Sequence, residues 1–271
     1  MISNLQKECL FAFNIWDVNS AKAIIDAAAE RNKNVILQTS PGIYKDMDVK
    51  ETRAFVKSYA ERKKINVYLH LDHCKDLTVI EDAISMEWDS VMIDASDLSL
   101  HENIQKTNQV IQMAHKRNVL VEAEIGQIKG TEDNIDMQEN RISSRQDIKR
   151  FLIETDIDML AVAFGNAHGM YKGRPKLDYN LINYVALISN IPFVVHGGSG
   201  LADEEIRKLS RLENVKKINI STEVKLAYRK GILISLENRL LEEEGFQASL
   251  VEQSIYEAIY QMAFYKLGII I

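Results

Sequence analysis

Eight short apolar runs punctuate this chain, each parted from the next by a longer stretch whose apolar positions return every three or four residues. The runs are "LFAFNIW", "NVILQTS", "NVYLHLD", "SVMIDAS", "VLVEAEIG", "MLAVAFG", "PFVVHGG" and "KINIST". Between them lie segments such as "SAKAIIDAAAERN" and "ENIQKTNQVIQMAHKRN", whose spacing predicts amphipathic helices. Strands that read as nearly continuous apolar runs are those buried on both faces, as in a parallel sheet covered by helices. Eight such βα units predict an α/β fold of one kind, a (β/α)8 TIM barrel.

No linker interrupts the series. The chain holds only three prolines and no Gly/Ser-rich segment, so residues 1–271 read as a single barrel domain. The longest irregular stretch, "GQIKGTEDNIDMQENRISS", follows the fifth run, and its length and polarity suit a lid or a disordered loop. After the eighth run, "KLAYRKGILISLENRLLEEE" and "SIYEAIYQMAFYKLG" read as additional C-terminal helices, with apolar faces for the barrel or for another subunit.

Composition narrows the partners. With 271 residues, 46% of them hydrophobic, the chain can bury a large core. A formal net charge of −6 argues against nucleic acid, which requires a basic face, and favours a small metabolite. Cys9 and Cys74 lack metal-type spacing, and two thiols in so long a chain suggest a reducing compartment, the cytoplasm. No basic-then-apolar leader pattern opens the sequence, and no apolar run reaches the roughly 18 residues that would span a bilayer. A soluble protein with no membrane partner is expected.

The polar chemistry collects where the runs end. The third ends in Asp72 and His73, the fourth in Asp94 and Ser96, the fifth in Glu122 and Glu124 and the seventh in His196, while His168 follows the sixth. In such barrels the βα loops converge at the C-terminal rim, so these residues should meet there. Three imidazoles from separate strands suit Zn²⁺, which takes three protein ligands in catalytic sites and keeps one position open. His73, His168 and His196 are therefore the candidate ligand set; a hydrogen-bonded rim role is the plainer alternative for any one of them. His70, an odd number of residues before His73, should face the other way and be structural. His101 and His115 read as residues of a solvated helix face. In "VVHGGSGLADEE" the glycines admit close backbone approach, Ser199 adds a hydroxyl, and the amides ahead of the next helix point at an anion. Asn219, Ser221 and Thr222 end the neighbouring strand, and loops after strands seven and eight often form a phosphate site in this fold.

"LDHC", "SVMIDAS", "VEAEIG", "GNAHGMYKGRPKLD", "HGGSG" and "KINISTE", in this order and spacing, resemble the class II, metal-dependent ketose-bisphosphate aldolases. The resemblance runs from the first strand to the helix after the eighth. It implies one catalytic zinc on His73, His168 and His196, with Asp94 and Glu124 as supporting or alternative metal carboxylates. Asp72 would then handle the proton of the C4 hydroxyl, and Glu132, in the loop after strand five, the carbon-bound proton of the dihydroxyacetone phosphate half. The implied phosphate pocket comprises Gly169, Gly197, Ser199, Asn219, Ser221 and Thr222, with a monovalent cation, Na⁺ or K⁺, often nearby. Asn14 and Ser40 match positions near the distal end of the substrate. The expected reaction is zinc-dependent, reversible cleavage of a ketose 1-phosphate resembling fructose or tagatose 1,6-bisphosphate. Its products are dihydroxyacetone phosphate and a three-carbon aldehyde. The expected assembly is a homodimer or homotetramer.

Two departures matter. Ser221 stands where many relatives have aspartate. Bisphosphate-cleaving relatives generally hold the distal phosphate with an arginine from the C-terminal region, but this chain has no arginine after Arg239, leaving Lys266, a tail residue of a neighbouring subunit, or Arg174 as sources of charge. A 6-deoxy-6-sulfofructose 1-phosphate aldolase, yielding sulfolactaldehyde, is therefore an alternative, and a catalytically inactive sugar-phosphate-binding barrel a remote one. A Schiff-base aldolase would need a lysine projecting into the barrel, absent from "MLAVAFG", and an amidohydrolase would need a His-x-His pair, absent from "FAFNIWD".

Overall fold

A computed structural model describes the chain apart from residues 129, 133–134, 138–141, 172, 242–245 and 271; within 130–132 and 135–137 it describes the backbone alone. All eight apolar runs become strands: β1 (Leu10–Asn14), β2 (Val35–Thr39), β3 (Val67–Cys74), β4 (Ser90–Ile93), β5 (Leu120–Ile125), β8 (Met159–Val162), β9 (Phe193–Val195) and β10 (Val215–Ile220). They pair in parallel and close into a barrel in the order β1-β10-β9-β8-β5-β4-β3-β2. The long segment after β5 holds two short strands, β6 (Gly130–Glu132) and β7 (Ile135–Met137), paired antiparallel. There the sequence had suggested only an irregular loop.

Several of the helices begin where a short polar side chain meets the free amides. Asp17 accepts from Ser20 N–H in a capping box at the helix Val18–Glu30, and Ser99 with Glu102 does the same for Leu100–Ala114. The alternate residues of each strand divide between two cores. Phe11, Phe13, Leu37, Leu69, Val121, Ile218 and Ile220 pack outward under the helices. Leu10, Ala12, Ile36, Met159, Ala161 and Val194 fill the barrel's lower interior, plugged by Leu5 of the helix Ile2–Leu5.

Above that plug the interior turns polar. One local irregularity decides which side chains reach it. The pairing of β3 with β4 shifts register between Leu71 and Cys74, and His73 takes a left-handed backbone conformation with φ 47°. The usual alternation therefore breaks, and His70, Asp72 and His73 all enter the barrel. The expectation that His70 faces away is corrected: its Nδ1 lies 2.7 Å from Ser90 Oγ, and its Nε2 lies 3.7 Å from Asp72 and 3.6 Å from Glu122.

The two C-terminal helices pack on the barrel's own helices. Gly231 of the helix Thr222–Glu237 meets Ile255 of the helix Ala248–Leu267 so closely that a Cβ would stand 2.4 Å from Ile255 Cα. Asp26, on the helix Val18–Glu30, receives Lys22, Lys63, Tyr59 and Tyr256, which ties the last helix to the first βα unit. Among the described residues no helix is long and apolar enough to cross a membrane.

Candidate active site

Two βα loops are stapled together before any site is formed. The Asn166 side chain accepts Phe164 N–H at 3.0 Å and donates to the His196 carbonyl at 3.0 Å. Tyr171 OH receives Ala167 N–H and donates to the Gly197 carbonyl at 2.9 Å. Gly197 has φ 67°, and a Cβ there would stand 2.0 Å from the Ala167 carbonyl oxygen, so only glycine lets the two loops approach this closely. The loop carrying His168 is thereby fixed against the strand end carrying His196.

The three imidazoles converge as the sequence predicted. The His73 ring centroid lies 5.0 Å from that of His168 and 4.5 Å from that of His196, with 5.9 Å between the last two. One ring nitrogen from each can be chosen so that all lie within 4.8 Å of one another. Carboxylates back two of the rings. Asp94 Oδ2 lies 3.0 Å from His73 Nδ1, while its Oδ1 accepts from Ser96 Oγ at 2.7 Å. Glu124 Oε2 lies 2.9 Å from His196 Nδ1, and Glu122 Oε1 lies 2.9 Å from His196 Nε2.

This environment favours positive charge. Burial presses the His73 imidazole toward its neutral form, yet Asp72, Asp94 and Glu124 outweigh it and raise the pKa well above the ordinary value. At His196, burial and the neighbouring His73 act downward, and Glu122 and Glu124 still lift the pKa to about 9. Burial alone would raise Asp94, but the hydrogen bond and charge of His73 hold it well below the usual carboxylate range. Three imidazoles among buried carboxylates fit a divalent cation, whose charge would take the place of those protons.

Asp72 sits beside the triad, 2% exposed. Gln38 Nε2 donates to its Oδ2 at 2.7 Å and to Asn14 Oδ1 at 2.8 Å, and Asn219 Nδ2 donates to its Oδ1 at 3.3 Å. Asn219, expected beside a phosphate, thus also steadies the acid, and Asn14 joins the same chain of bonds. Ser40 lies buried at the C-terminal end of β2 and Ser221 at the end of β10. Ser199 Oγ accepts Glu223 N–H at 3.3 Å, which leaves its proton for another acceptor. Gly169 and Gly200 both have positive φ, and Thr222 opens the helix Thr222–Glu237. Glu132 ends β6, and its side chain lies outside the described residues.

Four features escaped the sequence reading. Gln38 is fully buried in β2 and holds Asp72. A lysine does project into the barrel: Lys217 Nζ, from β10, lies 2.7 Å from Glu122 Oε2. Burial would raise the Glu122 carboxyl, but Lys217, then His70 and His196, hold it well below its ordinary range. His115, expected on a solvated face, bonds Asp158 at 2.9 Å. Finally, neither candidate distal cation is spare: Lys266 Nζ lies 2.9 Å from Glu223, and the exposed Arg174 reaches Glu205.

A histidine triad backed by buried carboxylates, at the C-terminal rim of a closed parallel barrel, is an arrangement that can hold a divalent cation for catalysis. The sequence profile described as "Fructose-bisphosphate aldolase class-II" matches residues 4–268. The chain belongs to the class II fructose-bisphosphate aldolase family and is an aldolase, a carbon–carbon lyase of a family that is generally metal-dependent. Among solved structures it is similar to the YdjI aldolase from Escherichia coli K12, with a TM-score of 0.80 and 25% identity over 98% of this chain and 93% of that one. The fold is also that of the fructose-bisphosphate aldolase (Fba) from Campylobacter jejuni, with a TM-score of 0.78 and 24% identity over 98% of this chain and 93% of that one.

Proposed function

We propose that this barrel, one domain spanning residues 1–271, cleaves a ketose 1-phosphate reversibly to dihydroxyacetone phosphate and a three-carbon aldehyde. The observation that carries the reading is Asp72 fixed by Gln38 and Asn219 at the edge of the imidazole triad. His73, His168 and His196 would hold Zn²⁺, with Asp94 orienting the His73 ring and Glu124, beside His196 Nδ1, a supporting or alternative metal carboxylate. A cation so held supplies a Lewis acid that draws electron density from the substrate's carbonyl oxygen.

The protein's own groups do the rest. Asp72 takes the C4 hydroxyl proton as the C3–C4 bond breaks, and Glu132 returns a proton to the carbon of the dihydroxyacetone phosphate half. The C1 phosphate is bound by Ser199, Ser221, Thr222 and Asn219 together with backbone at Gly169 and Gly197, where a monovalent cation also belongs. Asn14 and Ser40 face the far end of the sugar. The protein works in the cytoplasm as a homodimer or homotetramer; exposed Leu226, Leu233 and Leu236 on the helix Thr222–Glu237 support self-association.

A second reading concerns that far end. Lys266 and Arg174 are already paired, and the polar groups near the distal position, Asn14 and Gln38, are neutral. A distal sulfonate, which carries less charge than a phosphate dianion, suits neutral donors better. 6-Deoxy-6-sulfofructose 1-phosphate is therefore the competing substrate. A panel of fructose and tagatose 1,6-bisphosphates and the sulfosugar phosphate, read by dihydroxyacetone phosphate release, ranks them. A thousandfold preference in kcat/KM for a bisphosphate would eliminate the sulfosugar; no release from any of them would defeat the reading as a whole.

A further inference from the structure

Lys217 has none of its surface exposed, in an interior where barrel strands ordinarily present Val, Ile or Leu. Its strand, β10, is separated from β5 by β9 and β8, so the ion pair with Glu122 spans the barrel. An apolar pair of similar volume would fill this space without desolvating two charges, and the fold alone gives no reason for the ions.

The reason lies one contact further on. Glu122 has one oxygen, Oε2, on Lys217 Nζ at 2.7 Å and the other, Oε1, on His196 Nε2 at 2.9 Å. With Oε2 anchored, the carboxylate cannot swing, and Oε1 stays on the imidazole. Glu122 lies one inward-facing step below Glu124 on β5, and Glu124 holds the other ring nitrogen, Nδ1. Nε2 therefore points down the barrel, and Nδ1 points toward the rim where His73 and His168 stand. A neutral imidazole carries a single N–H; given to Glu122, it leaves the Nδ1 lone pair for an ion.

We propose that Lys217 is a positioning residue for the metal centre: through Glu122 it sets the tautomer and the aim of His196. This inference rests on the reading of the triad as a metal site. It assigns no bond-making role to the lysine, whose ammonium is engaged by Glu122.

The test is metal affinity. Zn²⁺ binding is measured by competition with a chromophoric chelator, and the visible absorption of the Co²⁺-loaded protein reports ligand geometry, for wild type, Lys217→Met and the double variant Glu122→Met/Lys217→Met. Loss of such outer partners typically weakens metal binding on the order of tenfold to a hundredfold, and both variants should show a loss of that size with a changed Co²⁺ spectrum. The double variant guards against misfolding, because replacing both members of a buried ion pair by apolar groups is commonly tolerated. Wild-type affinity and an unchanged spectrum in the folded double variant would overturn the proposal, even if thermal stability fell. If wild type itself bound neither ion, the metal reading would fail instead, and the two failures are distinct.

Discussion

Replacing Gln38 by methionine keeps the shape of the side chain and removes one NH2 group. That group makes two buried bonds, 2.7 Å to Asp72 Oδ2 and 2.8 Å to Asn14 Oδ1. A hydrogen bond to a charged acceptor is worth about 1.5–3 kcal/mol. Asp72 would keep only the longer contact from Asn219, at 3.3 Å, among these amide donors. If the bond serves to hold the carboxylate at the hydroxyl it deprotonates, its loss appears in the barrier, and each 1.4 kcal/mol is roughly tenfold in rate. The expected result is a kcat/KM for bisphosphate cleavage lowered roughly tenfold to a hundredfold, with Zn²⁺ content unchanged, since Gln38 touches none of the three imidazoles in the contacts above. Steady-state cleavage at saturating metal, beside metal analysis of the same samples, reads this out. A rate within about threefold of wild type, or a loss that simply tracks lost metal, would refute the positioning role.

Other consequences follow from the same contacts. His196→Ala removes one vertex of the triad and should strip the protein of bound Zn²⁺ along with its activity; lost activity with full metal content and intact circular dichroism would place the ion elsewhere. Glu132→Ala should slow exchange of the carbon-bound proton of dihydroxyacetone phosphate into solvent, whereas Asp72→Ala should spare that exchange and block cleavage. Gly231→Ala drives a methyl against Ile255 and should cost about 1–3 kcal/mol in urea unfolding; an unchanged midpoint would mean the two helices separate freely. Asp26→Asn tests the clasp. Burial would raise this carboxyl, but Lys22, Lys63, Tyr256 and Tyr59 hold it well below its ordinary range, so its contribution is fully present above the unfolded value of about 4 and fades as pH falls from there toward the lowered folded value. The variant should be about 1–2 kcal/mol less stable at pH 7, allowing for the partly exposed lysines, and the gap should narrow at pH 3.

The barrel was legible because a parallel strand buried on both faces has to be written in apolar residues, and eight such runs leave few other architectures. The triad was legible for a related reason: His73, His168 and His196 interrupt that apolar text at strand ends, where the fold itself brings them together. What stayed hidden depends on contacts between distant strands. Gln38 sits inside an apolar run and acquires meaning only when β2 lies beside β3. Lys217 sits between Val215 and Asn219 and acquires meaning only across the barrel. His70 was assigned to the wrong face because strict alternation fails at the left-handed residue His73, and nothing in "LHLDH" marks that turn. Lys266 appeared free because its partner, Glu223, lies more than forty residues earlier in the chain.

The clasp around Asp26 reaches beyond stability at equilibrium. It joins Lys22 and Lys63 to Tyr256, and β1 finds one of its two neighbours only in β10, so in both layers the first βα unit depends on segments from the carboxyl-terminal end of the chain. During synthesis on the ribosome, β1 and β2 emerge with an open edge and an uncovered helix face, and at roughly 5–20 residues per second that exposure lasts on the order of ten seconds or more. An open parallel edge of that kind invites pairing with a neighbouring nascent chain. The amino-terminal half of this barrel therefore keeps an open edge until β10 arrives to close the ring and the last helix to complete the clasp.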